Sequence, residues 1–136
     1  SYGTRGEKVV EASLGALKDP SAAVRGAALQ ILADVINHRK DLRVDIGKIL
    51  PLLDDPSDAV RGKTMGLLVP MIDDSDHRRK MLASAPRLVE LLRLHQPGSH
   101  DLAFTVLGML SRKNLDHRDY AGWQAWAAKA AAGKAN

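Results

Sequence analysis

Five histidines have the widest chemical repertoire in this sequence, because imidazole can bind a metal or carry a proton. They are His38, His77, His95, His100 and His117. No two of them are three or four residues apart, the spacing that places two side chains on one helical face. His95 and His100 flank one predicted loop and could share an ion with Asp101. The alternative is that all five are ordinary surface side chains.

Other chemistry-bearing patterns are missing from the sequence. Because there is no cysteine, disulfides, thiolate metal sites and cysteine nucleophiles are excluded. The sequence contains no Gly-rich phosphate loop, no Gly-x-Ser-x-Gly and no His-Glu-x-x-His. We therefore predict a protein that is not an enzyme, with no catalytic residues, no metal site and no cofactor.

A basic dipeptide recurs at nearly even spacing. His-Arg occurs at residues 38–39, 77–78 and 117–118, and we expect each copy to open a helix. Together the copies predict a basic edge that could contact phosphates; the alternative is a solvated helix start that repeats because the structural unit repeats. The net charge of +4 is too mild to demand an acidic partner. The predicted edge comprises His38, Arg39, His77, Arg78, Arg79, His117 and Arg118.

A nearly identical stretch of the sequence occurs twice and indicates which helices must position these residues. DPSAAVRG spans Asp19–Gly26, and DPSDAVRG spans Asp55–Gly62. Self-similarity at a fixed period of 20–50 residues is the signature of a repeat protein. Each proline should end a helix and each following serine should cap the next one. The repeating unit is therefore predicted to be helix, tight loop, helix.

Apolar residues at spacings of three and four residues flank both loops, as expected of buried helical faces. In the third unit the loop is degenerate, and Pro86 should bend or split the first helix. The predicted faces are Val10, Leu14 and Leu17; Val24, Ala28, Ile31, Leu32 and Val35; Ile46, Leu50 and Leu53; Val60, Thr64, Leu67, Leu68 and Met71; and Leu102, Val106, Met109 and Leu110.

Two segments resemble HEAT repeats: LKDPSAAVRGAALQILADV and LLDDPSDAVRGKTMGLLVPMI. The resemblance covers residues 7–72 well and 77–111 loosely. It implies an all-α fold, an α-α superhelix of about three helical hairpins. It also implies a structural ladder of bonds along the stack, made by Asp19, Arg25, Asp55 and Arg61. The third unit reads HQPGSHDLA, where neither the Asp nor the Arg keeps its register.

The resemblance gives one HEAT-repeat domain over residues 1–136. Its repeats are residues 5–37, 38–75 and 76–115, and a capping helix spans 116–133. The cap residues are Tyr120, Trp123 and Trp126, with the tryptophans expected on Leu107, Met109 or Leu110; the alternative is a patch that recognises a partner. Val9, Val10 and Leu14 should form an apolar face that further repeats cover in a longer parent protein.

The predicted function is a scaffold that binds a protein partner through the concave wall formed by the second helices. The alternative is a module that contacts nucleic acid, distantly similar to HEAT-like DNA glycosylases, whose catalytic groups converge on that wall. HEAT-like bilin lyases are a third class, and no residue marks a bilin site. We expect a monomer, or a chain that further repeats cover in the longer parent protein. This chain contains no signal peptide and no membrane span, so its expected location is cytoplasmic by default. The partner surface comprises Gln30, Asp34, Lys63, Thr105 and Arg112, with Ala23, Ala27, Ala59, Gly66 and Gly108 between them.

Overall fold

The computed structural model describes residues 4–134, and this range contains helices and no strand. The predicted all-α class is confirmed. Contacts divide the chain into two compact units, Ser1–Pro70 and Met71–Asn136. The α-helices are α1 (Arg5–Ala16), α2 (Ala22–His38), α3 (Asp58–Met71), α4 (Ser75–Ala83), α5 (Ala85–Leu92), α6 (Pro97–Ser111) and α7 (Tyr120–Ala131), and 3-10 helices span Ile46–Lys48 and Leu50–Asp54.

The first unit opens with a helical hairpin, in which α1 packs against α2. Thr4 caps α1 by accepting a bond from the Glu7 amide, and the Glu7 carboxylate accepts one from the Thr4 amide. This reciprocal pair satisfies two of the backbone donors that a helix start leaves open. The α1–α2 loop holds Pro20, and Ser21 caps α2 as predicted, accepting from the Val24 amide.

The segment before the second loop differs from the prediction, because it forms two 3-10 helices instead of one α-helix. Asp45 starts a tight turn by accepting a bond from the Gly47 amide. Pro51 has no N–H to donate to the carbonyl four residues earlier, so an α-helix cannot run through this segment undisturbed. Ile46 and Leu53 are nevertheless buried, so part of the predicted apolar face is retained.

The buried face of α2 is rotated from the prediction. Ala28, Leu29 and Leu32 are buried, whereas Val24 and Ile31 are 40% and 44% exposed. Residues seven apart lie on the same line along a helix, so Val24 and Ile31 share one edge of the buried stripe. The prediction that both belong to the core is wrong. The core prediction for α3 is confirmed, with Val60, Thr64, Leu67, Leu68 and Met71 all buried.

In the second unit, α5 packs against α4, α6 and α7. Five of its eight residues are buried, namely Ala85, Leu88, Val89, Leu91 and Leu92. Pro86 occupies the second position of α5, and α4 ends at Ala83. The predicted split at Pro86 is confirmed, since the proline cannot bond back to the carbonyl of Leu82.

The last helix, α7, packs on α4 and α5. Trp123 is fully buried and Trp126 nearly so, whereas Met109 is exposed. The prediction that Met109 belongs to the core is therefore wrong, because its side chain lies on the outer side of α6. On α6, Phe104 meets Trp123, and the two rings stand edge-on at 6.3 Å between centroids.

The apolar face predicted at the start of the chain is divided. Val9 is exposed and Leu14 half-buried, but Val10 is buried within the first unit, so the prediction is wrong for Val10. An open groove of about 520 Å³ runs beside it, lined by residues that include Glu11, Leu14 and Leu42. Between residues 4 and 134, no helix combines the length and apolar character needed to cross a bilayer.

Candidate partner-binding faces

The duplicated stretch folds into the same loop twice. The Asp19 carboxylate accepts a bond from the Ser21 amide at 2.8 Å, and the Asp55 carboxylate accepts one from the Ser57 amide at 2.9 Å. Such aspartate-to-backbone bonds stabilise tight turns. The residues that the two stretches have in common therefore favour the same backbone turn before α2 and before α3.

Each arginine of the duplicated stretch bonds back to the loop before it. Arg25 donates to the backbone carbonyls of Asp19 and Pro20, at 2.9 and 3.0 Å. Arg61 donates to the carbonyl of Asp55 at 2.7 Å. Backbone carbonyls in a loop lie outside the regular helical bonding and need another partner when they are partly buried. The arginines supply that partner and tie each loop to the helix that follows it.

One bond pair joins the two loops. The Arg25 guanidinium donates to both carboxylate oxygens of Asp55, at 2.7 and 3.0 Å. The two side chains are only 12% and 6% exposed. Burial acts to raise the pKa of Asp55, but the bonds from Arg25 and the Ser57 amide and the charges of Arg25 and Arg61 outweigh it, so the pKa is lowered. The structure thus joins Arg25 and Asp55 through their side chains, whereas Arg25 reaches Asp19 and Arg61 reaches Asp55 through backbone carbonyls.

The predicted partner surface of the first unit lies in solvent on α2 and α3. Ala23, Ala27, Gln30 and Asp34 are exposed on α2, and Gln30 donates to the Asp34 carboxylate. Ala59, Lys63 and Gly66 are exposed on α3. Val24 and Ile31 add large apolar side chains to this surface. We call these nine residues the α2–α3 face.

A shallow groove of about 180 Å³ lies within the α2–α3 face, lined by residues that include Ala23, Gly26, Ala59 and Lys63. A methyl group at Gly26 would come within 3.2 Å of the Lys63 ammonium, so this glycine makes room for the lysine. At Gly66 a methyl group would meet open space. Glycine weakens a helix by about 1 kcal/mol relative to alanine. Because position 66 has this open space, packing within the chain does not require a glycine there.

The predicted surface of the second unit lies on α6. Thr105 is exposed, and its hydroxyl donates to the Asp101 carbonyl. Gly108 has open space where a methyl group would sit, and Phe104 and Met109 on either side are partly exposed. Arg112 ends the helix in the left-handed conformation with φ of 57°, where glycine is usual. The outer side of α6 therefore combines small, apolar and cationic groups.

The basic edge is not built as predicted. His38 is the last residue of α2 and Arg39 follows it, so this pair ends a helix instead of opening one. The His38 ring contacts the Asp34 carbonyl at 3.0 Å, as suits a side chain at a helix C-terminus. Arg39 pairs with the Asp41 carboxylate, which lowers the pKa of that carboxyl by hydrogen bonding.

The other two copies of the dipeptide occupy different settings. His77 and Arg78 lie in the first turn of α4, but Arg78 turns inward and donates to the Leu110 carbonyl, and Arg79 pairs with Asp76. His117 and Arg118 precede α7, with His117 partly buried and Arg118 exposed. The prediction that every copy opens a helix is wrong for residues 38–39, and Arg78 is not exposed along one edge with the other arginines, because each copy is held by different neighbours.

The cap residues have specific partners within the second unit. The Trp123 indole N–H donates to the Asp116 carbonyl at 2.9 Å, and its ring stands edge-on to Trp126. The Arg93 guanidinium carbon lies over the Tyr120 ring, 5.5 Å from the ring centroid. This is the geometry of a cation–π contact. These contacts fix the start of α7.

His100 is held differently from the predicted ion site. Its Nδ1 contacts the Leu92 carbonyl and its Nε2 contacts His117, so neither nitrogen faces His95 or Asp101 as a free ligand. Between residues 4 and 134, no three His, Asp or Glu side chains are grouped to hold a metal. The His100–His117 pair joins a helix to a loop 17 residues later, and no local sequence pattern signals it.

Comparison with known proteins returned no match to a family model, a curated protein or a solved structure.

Proposed function

We propose that this chain is a HEAT-type helical-repeat module that binds a protein partner and catalyses no reaction. The observation that carries the proposal is the α2–α3 face. Every residue predicted from the repeat pattern for that surface lies in solvent, and Val24 and Ile31 are exposed beside them. Repeat proteins bind through surfaces of this kind. Four of the nine residues of the face are alanine or glycine, so a partner backbone can approach closely at these positions.

The chemistry of the face defines the partner segment. We propose a helix or an extended peptide with small apolar side chains and one carboxylate. The apolar side chains would cover Val24 and Ile31, and the carboxylate would pair with Lys63, which has no ion pair with any residue in the described range. Amphipathic helices docked into apolar grooves are a common mode of peptide recognition.

Peptides selected from a displayed random library against the whole chain provide the probe. Ile31→Glu should weaken binding of the selected peptides by at least about tenfold, because a buried, unpaired carboxylate costs more than 1.4 kcal/mol. The matched control is Val9→Glu, since Val9 is equally exposed but lies on α1. Isothermal titration calorimetry measures both.

Two results would count against the proposal. Equal weakening by Ile31→Glu and Val9→Glu would show that the face is not the binding surface. Salt-sensitive binding of duplex DNA with no selectable peptide would favour the nucleic-acid alternative, since phosphate contacts weaken steeply with salt.

A further inference from the structure

A histidine pair links α6 to the segment that precedes α7. His100, on α6, places its Nδ1 2.6 Å from the Leu92 carbonyl oxygen and its Nε2 3.2 Å from Nδ1 of His117. The two rings meet edge-on with an interplanar angle of 81°. Both residues are partly buried. The contact therefore depends on which ring nitrogens carry protons.

The proton on one nitrogen is fixed by its partner. A carbonyl oxygen only accepts hydrogen bonds, so Nδ1 of His100 carries a proton. The contact between His100 Nε2 and His117 Nδ1 then needs one proton between the two nitrogens. With both rings neutral, His117 donates and His100 accepts. With one added proton the contact still holds a single N–H and becomes charge-assisted. With both rings protonated, two N–H groups face each other and the bond is lost.

The surroundings allow proton exchange and oppose a second charge. The pair borders an open cavity of about 440 Å³, whose other lining residues include His95, Asp101, Arg118 and Tyr120. Asp101 is the carboxylate among them, and Arg118 brings a permanent positive charge. Solvent can therefore reach the pair, and two adjacent imidazolium rings would repel each other.

The pair is coupled by ring contacts to the buried core. The His117 ring packs against Phe104 at 5.9 Å between centroids, and Phe104 packs against Trp123. Trp123 in turn donates to the carbonyl of Asp116, the residue before His117. Loss of the contact between His100 and His117 would free the His117 ring from His100 and loosen residues 112–119.

We propose that His100 and His117 form a proton-operated latch that fastens the segment before α7 onto α6. The latch is closed when the pair holds no added proton or one, and it opens when both rings are protonated. The repulsion between the two rings opposes the second proton, so acidification is needed to open the latch. Opening frees Phe104, on the outer side of α6, from His117.

Amide hydrogen exchange of residues 112–119 tests the latch in the full chain. Exchange rates are divided by the intrinsic rate at each pH, which gives protection factors. In the wild type, protection of this segment should fall by at least about tenfold between pH 8 and pH 4. His117→Asn should keep its protection at both values, because the asparagine amide can donate to neutral His100 and accept from protonated His100. His95→Gln is the matched control, since His95 borders the same cavity but lies outside the pair, and it should respond as the wild type does.

Three results would overturn the latch. The first is equal protection of the wild-type segment at both pH values. The second is a wild-type pH response in His117→Asn, which would place the titrating group elsewhere. The third is protection that rises on addition of Zn²⁺ at pH 8 in the wild type but not in His117→Asn, which would assign the pair to metal binding.

Discussion

Replacing Trp123 by alanine should lower the unfolding free energy of the second unit by about 3–5 kcal/mol, the range for removing a buried tryptophan. The side chain is fully buried, its ring meets Phe104 and Trp126, and its N–H bonds the Asp116 carbonyl. The alanine variant loses all of these contacts and leaves a cavity. Urea unfolding followed by far-UV circular dichroism measures the change.

One further variant separates the role of the tryptophan ring from that of its N–H, and a second serves as an exposed control. Trp123→Phe keeps an aromatic ring but leaves the Asp116 carbonyl without its donor, and should cost about 1–3 kcal/mol. Gln124→Ala changes an exposed neighbour on the same helix and should leave stability unchanged. If Trp123→Ala unfolded at the same urea concentration as Gln124→Ala, the tryptophan would not hold the unit together.

Asp55→Ala should destabilise the first unit by about 3 kcal/mol, since removing one partner of a buried ion pair leaves the other unpaired. Asp55 accepts both bonds from Arg25 and one from the Ser57 amide. Asp41→Ala is the matched control, because Arg39 and Asp41 also form a two-bond pair but are 50% and 65% exposed. Exposed pairs contribute little, so the control should unfold almost as the wild type does. Equal effects would show that burial does not strengthen the Arg25–Asp55 pair.

The same carboxylate should make the first unit sensitive to acid. Because the folded state lowers the pKa of Asp55 below its ordinary value of 3.8, its stabilising contribution is complete above about pH 5 and is lost as the pH falls through the folded-state pKa. The wild type should therefore lose more stability than Asp55→Ala between about pH 5 and pH 2. Urea titrations at several pH values measure this, and parallel losses in the two proteins would contradict the assignment.

Local sequence signals predicted much of the helical pattern. The duplicated loop follows from Pro20, Ser21 and their counterparts 36 residues later, because capping and chain-breaking act over a few residues. Pro86 likewise predicted the break between α4 and α5. The missed 3-10 helices trace to Pro51 and to the turn at Asp45, which interrupt a stripe of apolar residues that otherwise has helical spacing.

Contacts between distant residues were less predictable. The resemblance implied a ladder that includes Arg25 and Asp55, but no local signal specified that these two side chains, 30 residues apart, form a two-bond pair. His100 and His117 meet because α6 and the following segment fold back on each other, and the local pattern around neither residue specifies this contact. The exposure of Ile31 also depends on which side of α2 the rest of the unit covers. The spacing of apolar residues does not distinguish two possible buried faces of a helix that differ by a rotation of one residue.

The most direct test of the proposed function is chemical-shift mapping on the ¹⁵N-labelled chain with a peptide selected against it. We expect the largest shift changes at amides of the α2–α3 face, including Ala27, Ile31 and Lys63, and much smaller changes in Ile31→Glu at the same peptide concentration. Changes concentrated on α1, or the same changes in Ile31→Glu, would contradict the claim that this face binds the partner.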